Sequence, residues 1–295
     1  MEKKMQKIKK VNPLFLTVGI MLLLHGLTLL LPFFWMLLTS FKGILEYRDS
    51  FLGFPKELRW ENYTRVFELL KVTTYNNGKR YIVDISGLLG NSLTLAVVKS
   101  FFGLLPETLT AYAVSKYDFK LRKTLINVNI FVMTVPIVGS LATTLTVYKQ
   151  LGIYNNFWAY MIFPHQPFGF NFLLLYGAYK AIPNSYSEAV MIDGGGHFTI
   201  FFKIILPTIL PTLTALYILA FIGNWNDYTS ALIYVRKAPT LAYGLYEFQT
   251  GVKANVASLP EILAGFTMCS IPSVALYCAF QPLIGKSLAM GGLKE

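Results

Sequence analysis

Residues 188–211 read EAVMIDGGGHFTIFFKIILPTILP, a polar island between two long apolar runs. Glu188 and Asp193 are its acids, Gly194, Gly195 and Gly196 follow in succession, and Pro207 and Pro211 stand near its end. Just upstream, Pro183 ends or interrupts the preceding helix. Ser185-Tyr186-Ser187-Glu188 has the spacing of a capping box, with Ser185 as N-cap and Glu188 at N3. This predicts a short helix over 186–193, closed by Gly194 in the left-handed conformation. A second helix over 197–205 leads back into apolar sequence near Leu206, and Pro207 suits the start of the following helical segment. By spacing alone the segment reads equally as a capped helix followed by a flexible glycine turn.

The composition around it is that of a membrane protein. Of 295 residues, 54% are hydrophobic and 14% charged, against about 25% charged in a soluble domain. Mean hydropathy is +0.50. The formal net charge of +11 fits cytoplasmic loops that collect Lys and Arg, rather than nucleic-acid binding. Cys269 and Cys278 share one apolar run. They lie roughly 13 Å apart along a helix, too far for a disulfide within it, and read as packing residues.

Six apolar runs have the length of a bilayer span, about 17–25 residues. The first, 14–38, follows the lysine-rich start with Lys3, Lys4, Lys7, Lys9 and Lys10. It exceeds the 7–15 residues typical of a signal h-region, so a retained span is expected. Residues 39–84 are polar and contain the Asn76-Asn77-Gly78 turn signal. Further runs cover 85–114, 125–148, 157–179, 206–222 and 262–280. With six spans both ends lie on one side, and the basic tracts 2–10, 116–123, 180–203 and 286–294 all fall there. The expected organisation is a cytoplasmic basic tail (1–13), a first span (14–40), an extracytoplasmic loop (41–84), a five-span core (85–282) containing the polar loop at 181–206, and a cytoplasmic tail (283–295). The fold class is an all-α integral membrane protein of six transmembrane helices, with that cytoplasmic loop between the fourth and fifth spans.

The polar loop resembles the signature of binding-protein-dependent ABC importer permeases: E-A-A, three residues, G, nine residues, then I-x-L-P. Here it is Glu188-Ala189-Val190, then Gly194, then Ile204, Ile205, Leu206 and Pro207, with Val190 as the departure. Asn91-Ser92-Leu93, Ala111-Tyr112-Ala113-Val114-Ser115, Ile182-Pro183, Trp225-Asn226-Asp227-Tyr228, Gly244-Leu245 and the ending 286–294 are similar to the carbohydrate branch, in particular to the smaller permease of a maltose-type pair.

The resemblance implies that the loop is a coupling helix docking on a cytoplasmic ATPase, with Glu188, Ala189, Asp193, Gly194, Ile204, Leu206 and Pro207 as its coupling residues. It implies a second permease subunit, two ATPase subunits that bind ATP and magnesium, an extracytoplasmic solute-binding protein, and a multi-pass place in the plasma membrane. No cofactor and no nucleic acid is expected on this chain, which is read as a transport subunit rather than an enzyme.

Other residues bear on the solute path. Lys99 and Glu107 lie inside the second run, where charge is costly and usually faces the protein interior or a water-filled path. They sit roughly 12 Å apart along a helix, too far to pair. With Trp225 and Asn226 they are the candidate substrate-path residues. Trp158, Trp225 and Tyr148 near span ends also read as interfacial anchors. His25, His165 and His197 lack ligand spacing, so no metal site is expected. Gly285-Lys286-Ser287 is not a phosphate loop, because Phe280 stands where the motif needs glycine. Two readings stay open beside the sugar importer: an ABC permease for another solute, and a self-contained secondary transporter.

Overall fold

The computed structural model describes residues 13–76, 78–135, 139–163, 165–250 and 257–292. The lysine-rich start at 2–10, Asn77 and Lys294 lie outside these. The chain divides into two compact units: Met1–Val66 with Asn255–Met268, and Phe67–Ala254 with Cys269–Glu295.

The first unit contains α1 (Pro13–Ser40), α2 (Ile44–Asp49) and most of α3 (Glu61–Leu69). Only Thr39 and Ser40 of α1 are buried. Its apolar side chains are exposed in the isolated chain, as suits a helix bathed in lipid. Its lower end is tied by polar groups. The Asn62 amide donates to the carbonyls of Ser40 and Lys42 at 2.7 and 2.9 Å. The buried Lys42 ammonium donates to the Ser50 carbonyl at 2.8 Å, so its charge is met by backbone dipoles.

The second unit opens with a hairpin, β1 (Val72–Asn76) and β2 (Lys79–Val83), antiparallel with Asn76 opposite Lys79. The fold is mostly helical, as expected, and this hairpin is an addition to it. The Asn-Asn-Gly turn signal joins two runs rich in β-branched and aromatic residues, which together specify a hairpin. Gly78 has φ +77°, as such a turn requires.

Helix α4 (Ile85–Lys116) follows, then α5 (Arg122–Thr134), α6 (Ser140–Gln150), α7 (Phe157–Ile162), α8 (Phe170–Lys180), α9 (Ser185–Ile192) and α10 (His197–Thr199). A π-helical turn, Ile200–Ile205, runs from α10 into α11 (Leu206–Trp225). The chain continues as α12 (Thr229–Ile233), α13 (Leu241–Thr250) and α14 (Leu259–Gly292), whose helical backbone extends past the expected end of the sixth run. Among the described residues, four helical segments are long and apolar enough to cross a bilayer: Pro13–Ser40, Ile85–Lys116, His197–Trp225 and Leu259–Pro282.

The third and fourth runs are not single helices. The third divides into α5 and α6 and the fourth into α7 and α8, each piece too short to cross about 30 Å of hydrocarbon alone. Prolines explain the breaks. Val135, which precedes Pro136 in sequence, is extended at φ −87°, ψ 115°, the conformation a residue before proline prefers. Between α7 and α8 lies Pro167, and Gly169 has φ +151°, open to glycine but not to residues with a Cβ.

Helix α4 is the shaft of this unit and packs against α8 and α11. Leu104, Ala111 and Val114 of α4 share a buried cluster with Phe172, Leu175 and Tyr179 of α8 and with Ile205, Ile209 and Leu216. At its N-terminal end, the Asn91 amide donates to the Pro239 carbonyl at 2.9 Å, and Ser92 Oγ accepts from the Leu241 amide at 2.7 Å. The Asn-Ser pair quoted from the sequence therefore clamps the start of α13. Gly244 faces the same place. A Cβ there would stand 2.8 Å from Leu88 Cδ1, so glycine permits the close approach.

Candidate functional site

The loop after α8 is fastened to the far end of α4. Lys116 Nζ donates to the Ile182 carbonyl at 2.6 Å and to Asn184 Oδ1 at 3.3 Å. The Tyr117 hydroxyl meets His197 Nδ1 at 3.2 Å, and the rings of Tyr112 and Phe201 lie 4.7 Å apart. Ile182, Ile200 and Ile205 are buried in the cluster beneath.

Helix α9 starts differently from the capping-box expectation. Asn184 holds the N-cap position with helical angles and makes no side-chain cap bond. Ser185 is already helical. The turn begins at Pro183, whose carbonyl accepts from the Tyr186 amide at 3.4 Å, since proline is pre-set for a first helical turn. Glu188 is thereby released from capping. Glu188 and Asp193 are both exposed, and among the described residues neither side chain forms a hydrogen bond or ion pair.

The C-terminal end of α9 follows expectation and adds to it. Gly194 has φ +80°. Its amide donates to the Met191 carbonyl at 3.1 Å, and the Gly195 amide donates to the Val190 carbonyl at 2.8 Å. This pair of bonds is the Schellman closure. Beyond it, the second helix is not an α-helix over 197–205. It becomes π-helical at Ile200–Ile205, directly before Pro207. Proline lacks the amide that would bond back one turn and its ring crowds that carbonyl; a widened turn absorbs both effects. The helix therefore runs unbroken from the loop into α11. Ile204 and Leu206 are half-buried and Ala189 and Pro207 are exposed. Ile192 and Phe198 are among the most exposed apolar residues, at 86% and 82%. The outer surface of the loop thus combines two unpaired acids with bare apolar side chains.

The second candidate region is a cavity of about 320 Å³ midway along α4. Lys99, Ser100, Gly103, Leu104 and Glu107 of α4 line one side. Opposite them stand His165, Gln166 and Asn171, with Ala220 and Asn224 of α11. Lys99 and Glu107 thus share one cavity, and each has its own partner. Lys99 Nζ lies 3.6 Å from Asp227 Oδ2, donates to the Tyr160 hydroxyl at 2.7 Å and reaches Ser230 Oγ at 3.3 Å. Ser230 binds both Tyr160 and Asp227 in turn. Glu107, only 6% exposed, accepts from the Asn171 amide at 3.0 Å.

Two of the expected path residues lie elsewhere. Trp225 is 3% exposed and its indole N–H donates to the Cys269 carbonyl at 3.1 Å; it is a packing residue, neither cavity wall nor interfacial anchor. Asn226 bonds back to its own helix at the Ile222 carbonyl. The helical period places Ala220 and Asn224 on the cavity side instead, and Asp227 reaches back to Lys99. Asn224 is oriented by its bond to Ser100 Oγ at 2.9 Å. A charge inside an apolar run needs a partner, so Lys99 was itself the signal for Asp227. Among the described residues, no His, Cys, Asp or Glu group is arranged to hold a metal ion.

Comparison with known proteins places these features in context. The model of the family described as "Binding-protein-dependent transport system inner membrane component" matches residues 100–289. The chain is 27% identical to the probable starch degradation products transport system permease protein AmyC of Thermoanaerobacterium thermosulfurigenes, over 99% of this chain and 100% of that one. It is 25% identical to the diacetylchitobiose uptake system permease protein NgcG of Streptomyces coelicolor, over 92% and 86%. In fold it is similar to a chain of a bacterial ABC transporter involved in the import of the acidic polysaccharide alginate. There the TM-score is 0.70 at 21% identity, covering 94% of this chain and 99% of that chain.

Proposed function

The chain belongs to the binding-protein-dependent transport system inner membrane component family, and from that premise we propose that it is one permease subunit of an ATP-driven importer of oligosaccharides. The family is one of transport subunits, multi-pass and resident in the inner membrane. In our reading both termini are cytoplasmic, and the short helix pairs α5–α6 and α7–α8 complete six crossings as broken helices. Broken helices are tolerated at membrane depth where neighbouring protein satisfies the backbone. The partners are a second permease, two ATPase subunits holding ATP and magnesium, and a solute-binding protein on the outer side. The relatives named for starch products and diacetylchitobiose support the saccharide class.

One observation carries the mechanism: α9 is a stiff, outward-facing element joined to both sides of the bundle. It is tied to α4 through Lys116 and continues into α11 through the π-helical turn. Docked on an ATPase through Glu188, Asp193 and the neighbouring apolar residues, it transmits nucleotide-driven closure as a tilt of α4 and α11. The cavity between those helices then opens alternately to the two sides, a rigid-body switch.

The test is a Glu188→Ala, Gly194→Val double variant in the assembled transporter. The expected result is normal membrane insertion with loss of ATPase association and of uptake. Full uptake with normal stimulation of the ATPase would remove the loop from the coupling role.

A further inference from the structure

We propose that this chain carries its own transit station for a neutral saccharide in the α4–α11 cavity, with Glu107 as the hydroxyl-accepting group and as a filter against acidic sugars. The proposal rests on the importer reading and adds to it where in the chain the cargo is held and which charge class passes.

The cavity's two formal charges are not equivalent. Lys99 is consumed internally: Asp227 balances it, and Tyr160 and Ser230 take its remaining hydrogen-bonding capacity. Glu107 has no such balance. Among the described residues no cation lies within ion-pair distance, and its named donor is the neutral Asn171 amide. A carboxylate buried to this degree against one amide is costly and inside a span marks a solute path.

Gly169 packs directly beside the carboxylate, where a side chain would crowd it. A Cβ on it would stand 3.2 Å from Glu107 Oε1, and its φ of +151° already disfavours a side chain.

What remains is a carboxylate acceptor in a cavity that the amide side chains of Gln166, Asn171 and Asn224 also line. Sugar hydroxyls both donate and accept, which suits carboxylate and amide groups together. A cavity of about 320 Å³ lies at the small end of ligand sites, about 300–1,000 Å³, and admits one sugar unit at a time. Among the described residues no Phe, Tyr or Trp lines it, so no broad aromatic platform holds the sugar face, and a transit site must release as readily as it binds. An acidic sugar would meet Glu107 with no free cation to offset it. Like charges about 6 Å apart at an effective dielectric of 20 disfavour binding by about a hundredfold.

The experiment uses the complete importer in nanodiscs, without its solute-binding protein, and saturation-transfer NMR with maltotriose and trigalacturonate as probes. The unsubstituted complex should bind maltotriose at least about tenfold more tightly than trigalacturonate. Glu107→Gln keeps the shape and removes the charge, so it should collapse that ratio while retaining maltotriose binding. Asn171→Ala should weaken maltotriose several-fold. Equal binding of both probes by the unsubstituted complex, no maltotriose binding, or an unchanged ratio in Glu107→Gln would overturn the proposal. The importer reading is measured separately, by whether ATPase activity of the unsubstituted complex depends on the solute-binding protein, so the two failures are distinguishable.

Discussion

Gly195 and Val190 are in direct contact: the Gly195 amide donates to the Val190 carbonyl at 2.8 Å, and a Cβ on Gly195 would stand 2.5 Å from Val190 Cγ1. The branched Val190 side chain therefore requires glycine at 195. Gly195→Ala should overpack the turn by about 1–3 kcal/mol. Adding Val190→Ala should restore part of this, because the Val190 carbonyl, 3.0 Å from the added carbon, remains. Thermal stability of the purified chain measures both; equal losses in the single and double variants would refute the contact.

Gly194 makes a different demand, since its φ of +80° is a backbone requirement. Gly194→Ala should cost about 1–2 kcal/mol. Gly194→Asn should cost less, since Asn visits this region with local hydrogen bonding. The same thermal measurement on the two variants checks the order.

The Lys99–Asp227 pair should behave as a unit. Lys99→Met alone strands Asp227 in the bundle and should destabilise by about 2–3 kcal/mol, below the full cost of breaking a buried pair because each side chain retains some exposure. Lys99→Met with Asp227→Leu should lose less than either single change. A double-mutant cycle with additive losses would show that the 3.6 Å pair contributes nothing.

Ser92→Ala removes the acceptor for the Leu241 amide and leaves a buried donor unpaired, at about 1–3 kcal/mol. Faster hydrogen exchange at Leu241 is the direct readout, with the start of α13 fraying first.

The Asp84 carboxylate, N-cap of α4, is held below its ordinary range first by the Gly87 amide and then by the Ser86 hydroxyl. A depressed native pKa contributes stability that is complete above the unfolded value and lost as pH falls through the folded value. Protection of the Gly87 amide should therefore decline only under acid conditions. Asp84→Asn should remove that pH dependence while keeping a cap.

Much of the architecture was legible because it follows from local chemistry. Apolar run lengths set α1, α4, α11 and α14, and Gly194 announced the end of α9. The hairpin was legible too: its turn signal and β-branched flanks stand in the sequence, but the weight of apolar helices obscured them. The divisions of the third and fourth runs were marked by Pro136, Pro164 and Pro167, which a hydropathy average passes over.

By itself, the sequence determined that the chain lives in a membrane, where its long helices lie, and which loop between them is polar. These depend on composition and short-range spacing. Only the tertiary structure decided that Glu188 is free rather than capping, that Lys99 is matched by Asp227, and that Asn224 rather than Trp225 or Asn226 faces the cavity with Glu107. Those outcomes depend on helix rotation and on contacts between residues far apart in sequence. A side chain's partner is set by which helix faces meet, and no local pattern records that.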